Sequence, residues 1–445
     1  MAGQFSRREF MAAATVAGVG LSLSSGTCAA AEKPALLGGT PVRKKGFASW
    51  PVKDAKEDKA ILDVLHSGKW FREDGRQVST FEEAYAQLTG AKHCIATANG
   101  TGALVTAMGA MGIGPGDEVI VPPYTFIATV NAVLMHHALP VFVDTDPETF
   151  QIDHRKIESA ITDRTVAIVP VHIGGSLANL DAILDVAGRH KLPVIEDACQ
   201  AHLGEWRGRR AGTWGTAGCF SFQVSKNLCS GEGGAILTND DQLATKCYAF
   251  HNNCRAKTTD SYNFSYLGTR AANFRLTEFQ GALLLAQMTR IEEQAKIRTE
   301  NATYLTELLR QIPGIQPAKM YDGCTRNAYH LYMLRYQAEQ FNDLPRAKFL
   351  QALSAEGIPC SSGYAPLNWE SFIKEAVSSR GYQRSFPKEV LDRWHHRNHC
   401  PENDKLCQEA VWFTQPMLLG PKSDMDEIAA AIRKIQAHSA ALAKA

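Results

Sequence analysis

Four short apolar runs punctuate the first half of the chain: "EVIVPPY" (118–124), "PVFVD" (140–144), "TVAIVPVH" (165–172) and "PVIEDA" (193–198). Each is too short and too continuously apolar for an amphipathic helix, and each predicts a strand buried on both faces. Stretches such as "TGALVTAMGAMG" and "LANLDAILDVAGRHK" lie between them and read as helices. Strand alternating with helix predicts an α/β fold with a mainly parallel sheet covered on both sides. Near Gln287 the rhythm changes to long helical patterns, "AQMTRIEEQAKIRTENATYLTELLRQI". Past Pro313 follow "HLYMLRY", a strand, "LPRAKFLQALSAEG", a helix, and the closing helix "DMDEIAAAIRKIQAHSAALAKA". This second pattern predicts a smaller α+β domain over 291–445, after a large domain over 32–290. The least regular stretch, 368–409, predicts loops or helices inserted near the surface.

The first thirty-one residues stand apart. "SRREFMAAATVAGVGLSLSSGTCAAAEKP" pairs Arg7 with Arg8, continues through a weakly apolar Ala/Gly-rich run and ends in small residues. That is the tripartite layout of a signal peptide, and Ser6 to Met11 resembles a twin-arginine export signal. It predicts export to the periplasm, with a cytoplasmic location as the alternative. Lys+Arg 47 against Asp+Glu 46 gives no sign of a nucleic-acid partner, and none is expected. No apolar run reaches the roughly eighteen residues needed to span a bilayer. Eleven cysteines are scattered without a C-x-x-C pair and read mostly as small buried hydrophobes.

Candidate chemistry gathers at strand ends, where open parallel sheets bind ligands. Glu196 and Asp197 close the fourth run, as a cofactor or metal partner or as a helix cap. Asn99-Gly100-Thr101-Gly102 leads directly into a helix, so backbone N–H groups and the Thr101 hydroxyl offer an anion cradle, or a simple N-cap. Tyr124 and Phe126 follow another strand and could stack on a planar ring or pack in the core. Lys226 lies in "SFQVSKNLCSGEGGA" among small residues, ahead of Gly231, Gly233 and Gly234, which allow a tight turn. An anion cradle, a strand-end carboxylate, an exposed aromatic and a lysine are together what pyridoxal 5'-phosphate requires.

The blocks "GDEVIVPPYTFIATVNAV", "VHIGGSLANLDAI", "VIEDACQAHLGEWRGRRAGTWGTAGCFSFQVSKNLCSGEGGAILTND" and "NFRLTEFQGALLLAQM" resemble the DegT/StrS-type sugar aminotransferases, over about residues 39 to 420. That resemblance implies a fold-type-I pyridoxal-phosphate transferase. It implies that Lys226 bonds the cofactor aldehyde and that Asp197 pairs with the pyridine nitrogen. Gln200 would lie along the ring, Phe126 would stack on it, and Gly100, Thr101 and Ser221 would hold the phosphate. Asn273 would reach the phosphate of a neighbouring subunit, which implies a homodimer with shared active sites. The implied reaction moves an amino group from glutamate or glutamine to a keto sugar or keto cyclitol.

Finer wording in the C-terminal half, "RNAYHLYMLRY" and "LSAEGIPCSSGYAPL" among it, is similar to the inosose branch. The alternative ketone is a nucleotide-linked 3- or 4-keto sugar. His330 and Tyr364 are candidates either for lining the substrate pocket or for core packing. A non-catalytic binding or sensory protein on the same fold is disfavoured by the lysine. A nicotinamide enzyme would need a G-x-G-x-x-G after an early strand, and there is none. His395, His396, His399, Cys400 and Cys407 match no standard zinc spacing and read as surface-loop residues, so no metal is expected.

Overall fold

The computed structural model describes residues 32–257 and 265–445. The expected export signal lies outside the described residues. Seven strands make the main sheet: β1 His93–Thr97, β2 Glu118–Val121, β3 Leu139–Phe142, β4 Thr165–Ile168, β5 Ile195–Asp197, β6 Ala217–Ser221 and β7 Gly234–Thr238. Hydrogen-bonded pairs give the order β3-β2-β4 and the order β5-β6-β7-β1. Parallel bridges Ile168↔Val194 and Val171↔Asp197 join the two groups. Only β7 runs against the rest, pairing antiparallel with both β6 and β1. Six strands therefore end at one edge of the sheet, which is where the candidate residues were expected.

Alternate residues of the apolar runs supply the two faces. Val119 and Val121 pack with the helices Gly100–Ala110 and Ala128–Met135. Ile120, Val141 and Ile168 pack on the opposite side with Ile157, Ile183 and Val186 of the helices His154–Ala160 and Leu180–His190. The long helical patterns near Gln287 are two helices, Glu278–Met288 and Ile291–Leu309. The break falls at Arg290, whose guanidinium is held by Asp54 (2.8 Å) and Glu57. The second helix thereby leaves the main sheet and enters the C-terminal core.

That core surrounds a three-stranded antiparallel sheet of β8 Ile315–Pro317, β9 Leu331–Tyr336 and β10 Ala410–Thr414. Helices Arg346–Ala355 and Lys422–Ala437 cover it, and Leu36, Leu37, Val42 and Phe47 of the N-terminal arm pack against it. Chain order and packing thus cross the boundary expected at residue 290 in both directions.

The stretch 368–409 is not a surface insertion. It forms the helices Ser371–Val377, Arg380–Ser385, Lys388–Arg397 and Pro401–Glu409, and it buries Ile373, Tyr382, Phe386 and Trp394 in the main-sheet core. The reason is the edge of that sheet. β3 has a neighbour on one side only, and an uncovered edge leaves backbone groups unpaired. Trp394 Nε1 donates to the Pro140 carbonyl (2.6 Å), Tyr382 donates to the Ala138 carbonyl (2.8 Å), and the Phe142 N–H donates to Asn398 Oδ1 (2.7 Å). The sequence pattern predicted loops or helices near the surface and gave no sign of the edge they cover.

Cys400 and Cys407 are buried in different clusters, and His396 and His399 are exposed. Among the described residues no three His, Cys, Asp or Glu side chains group as metal ligands. Because Trp394 both fills core volume and satisfies an edge carbonyl, Trp394→Ala is expected to cost about 3–5 kcal/mol in urea unfolding. A loss below about 1 kcal/mol would mean that the edge is held by something else.

Candidate active site

A cavity of about 1070 Å³ opens at the carboxyl edge of the main sheet. Its wall includes Gly100, Thr101, Phe126, Asp197, Gln200, Ser221 and Lys226, drawn from four separate segments. Of the expected site residues only Asn273 is absent from this wall. It is exposed, its backbone bridges to Asn252, and its Oδ1 accepts the Arg275 N–H (3.4 Å).

The pleat at the end of β5 separates the two carboxylates that the sequence left side by side. Glu196 points away from the cavity and is fully buried. It accepts the N–H groups of Gly212, Trp214 and Gly215 (2.8, 2.8 and 2.7 Å) and pairs with His172 (2.9 Å). Burial raises its pKa, but His172 and these N–H groups outweigh that and hold it below the ordinary carboxylate value. Asp197 faces the cavity. Its Oδ2 accepts the Thr129 hydroxyl (2.7 Å), and its Oδ1 accepts the Cys199 N–H (3.2 Å). Thr125, just before the helix Ala128–Met135, and Thr129 within it are themselves hydrogen-bonded (2.9 Å). Neither threonine was singled out in the sequence, although the spacing in "TFIAT" was the available signal.

The cradle comes from close approach. Asn99 caps the helix Gly100–Ala110 through its Oδ1 and the Gly102 N–H (2.7 Å). A Cβ on Gly100 would lie 2.7 Å from Ser221 Cβ and 3.0 Å from Cys199 Sγ, so only glycine lets the helix start meet β6. Gly234 does the same for β7, where a Cβ would collide with the Asn99 carbonyl. The two aromatics separate cleanly. Tyr124 is fully buried among Phe150, Tyr364 and Trp412, whereas Phe126 is 55% exposed and lines the cavity.

Lys226 sits on the β6–β7 loop, which is closed by Phe222 N–H to Gly233 O (2.7 Å) and Val224 N–H to Gly231 O (2.9 Å). Its amine has no ion pair among the described residues. Burial lowers its pKa below the ordinary lysine value, against the opposing pull of Cys199 and Asp197. A lowered pKa of that kind favours the neutral, nucleophilic form of the amine relative to a solvated lysine.

Several other wall residues were not singled out in the sequence. Trp50 arrives from the N-terminal arm and donates to the Val224 carbonyl (2.6 Å). Trp412 and Thr414 come from β10. His330 and Tyr364, left open between pocket and core, both line the cavity. Gln200 is engaged at both ends of its amide, accepting the Gly174 N–H (2.7 Å) and donating to the Tyr364 hydroxyl (2.9 Å).

Comparison with known proteins gives a consistent picture. The DegT/DnrJ/EryC1/StrS aminotransferase family matches residues 51–411. The chain is 36% identical over 416 residues to the L-glutamine:2-deoxy-scyllo-inosose aminotransferase of Streptoalloteichus tenebrarius, spanning 91% of this chain and 97% of that protein. It is 34% identical to the L-glutamine:scyllo-inosose aminotransferase of Streptomyces griseus, spanning 90% and 97%. Among solved structures, 3-amino-5-hydroxybenzoic acid synthase superposes with a TM-score of 0.78 at 31% identity, covering 90% of this chain and 100% of that one.

The depressed amine has a direct chemical consequence. At pH about 8 a larger fraction of Lys226 is neutral than of any solvated lysine with a pKa near 10.4. Brief treatment with formaldehyde and cyanoborohydride is expected to modify Lys226 first, as read by peptide mass mapping. Even labelling across the surface lysines would count against a lowered pKa.

Proposed function

This chain belongs to the DegT/DnrJ/EryC1/StrS aminotransferase family and is an aminotransferase, and we propose that it moves an amino group from glutamine to the ketone of a cyclitol of the inosose class, with pyridoxal 5'-phosphate as its cofactor. The observation that carries the reading is one cavity holding a low-pKa lysine, a fixed carboxylate and a glycine-built cradle. The names of the two relatives above support glutamine as the donor and a free cyclitol ketone over a nucleotide-linked sugar.

The residues present suit that cofactor. Gly100, Thr101 and Ser221 line the cavity together at a helix start, where backbone N–H groups and hydroxyls would hold a phosphate. Asp197, oriented by Thr129, is a carboxylate suited to a protonated ring nitrogen. Phe126 presents an exposed ring face, and Lys226 an amine for the aldehyde. When bound, the cofactor supplies an electron sink for the carbon that loses its proton and carries the amino group between the two half-reactions.

The protein's part is proton handling and orientation. Lys226 Nζ would take the proton from the α-carbon of the donor and return it on the far side of the transferred nitrogen, and in the second half-reaction it would work in reverse toward the cyclitol carbon. The Asp197 carboxylate, held by a hydroxyl and an N–H, keeps its partner charged throughout. Trp50, Phe126 and Trp412 narrow the cavity around the reacting atoms.

Purified protein loaded with the cofactor should show a visible absorption band that bleaches on adding glutamine. Lys226→Ala should lose the covalently attached band and drop kcat by at least about 10²–10⁴-fold. A protein that takes up no pyridoxal phosphate would overturn the reading.

Asn273, exposed and outside its own cavity, supports a homodimer in which it serves the partner's site. Neither Lys226→Ala nor Asn273→Ala alone should be active. Mixing the two after dissociation should restore activity to about a quarter of the sites, because half the dimers are then hybrids with one intact site. No recovery would place Asn273 in its own subunit's service or in none.

A further inference from the structure

Two amides beside the cavity have no freedom to flip. Asn227, next to Lys226 along the chain, donates from Nδ2 to the Ala328 carbonyl (2.7 Å). A carbonyl only accepts, so the amide nitrogen must sit there and Oδ1 must face His330 Nδ1 (3.2 Å). Oδ1 in turn only accepts, so Nδ1 carries the ring proton. Nε2 is left as a bare lone pair, with no hydrogen-bonding partner among the described residues, on a side chain that lines the cavity. Burial, reinforced by Lys226, His202 and Arg298, pushes His330 well below the ordinary histidine value, so the ring is neutral.

The same bookkeeping applies across the cavity. Gln200 Oε1 accepts the Gly174 N–H (2.7 Å), so Nε2 faces the Tyr364 hydroxyl (2.9 Å). The phenol oxygen accepts that bond, and its own O–H is free to donate elsewhere. Burial raises the Tyr364 pKa, so the proton stays on.

We propose that these two side chains read the hydroxyl groups of the ketone substrate: His330 Nε2 accepts a hydroxyl proton and the Tyr364 O–H donates to a hydroxyl oxygen. Rigid backbone groups pin both polarities, so neither side chain can switch role to suit a different ligand. A polyhydroxylated ring satisfies both. A bare ring strips water from both and returns nothing, the kind of penalty that rejects analogues lacking a hydroxyl. The proposal rests on the cyclitol reading above for its substrate class.

The test uses the holoenzyme labelled with ¹⁵N-histidine, and His330→Phe identifies the His330 signals. The expected spectrum shows a protonated Nδ1 and a lone-pair Nε2, and adding scyllo-inositol, which has the hydroxyls but no ketone to react, shifts Nε2. A protonated Nε2, or no shift with scyllo-inositol, overturns the proposal. In kinetics, His330→Phe should raise KM for scyllo-inosose about tenfold or more and leave KM for glutamine unchanged. Any turnover of cyclohexanone should rise rather than fall, because the variant no longer strips water from a polar ring nitrogen. An equal loss with both ketones overturns the proposal, since a merely structural role would produce it. Failure of the wild type to aminate any inosose would sink the substrate reading, and the scyllo-inositol titration would still decide this one.

Discussion

Two consecutive carboxylates at the end of β5 face opposite sides of the sheet, and the site depends on that division. Glu196 turns inward and is saturated by three backbone N–H groups and His172, which fixes the loop that leads into β6. Asp197 turns into the cavity with only one hydroxyl and one N–H upon it, so it keeps capacity for a ligand. Were the register of β5 to slip by one residue, the buried anchor and the working carboxylate would exchange places.

Around that strand the chain achieves close approach rather than bulk. Glycine at 100 and 234 lets a helix start, two strand ends and the Asn99 turn meet where any side chain would separate them. Burial of Lys226 has a thermodynamic consequence as well as a chemical one. Its folded-state pKa lies below the unfolded value, so between the two the unfolded chain binds more protons. That group's penalty on stability is therefore full below the folded pKa and fades as the pH rises towards the ordinary lysine value. The more readily neutral amine is bought with some stability, a trade common at functional sites.

The C-terminal half does more than form a second core. Its helices between Ser371 and Arg397 close the exposed edge of β3, while β10 and the β9 entry bring Trp412, Thr414 and His330 to the cavity. The N-terminal arm contributes in the same way, packing on the C-terminal core and sending Trp50 to the Lys226 loop. The cavity is thus shared by segments far apart in sequence, and its polar wall is oriented by backbone contacts rather than by side chains alone.

The sequence by itself determined the parts governed by local periodicity and by residue type. Apolar runs of strand length, the glycine-flanked Lys226 and the small residues before a helix made the sheet and its loaded edge legible. Burial there is nearly complete, and chemistry at strand ends needs particular residues. Periodicity could not say that Glu196 and Asp197 would have different duties, because that is set by register against β6 and β4. Nor could it show that the stretch around Trp394 covers an edge, since an edge exists only once the strand order is known. The protonation of His330 and the direction of the Tyr364 hydroxyl were decided by tertiary structure alone. Each depends on a carbonyl or N–H supplied by a distant segment, and hydrogen-bond polarity is a property of the assembled pair rather than of either residue.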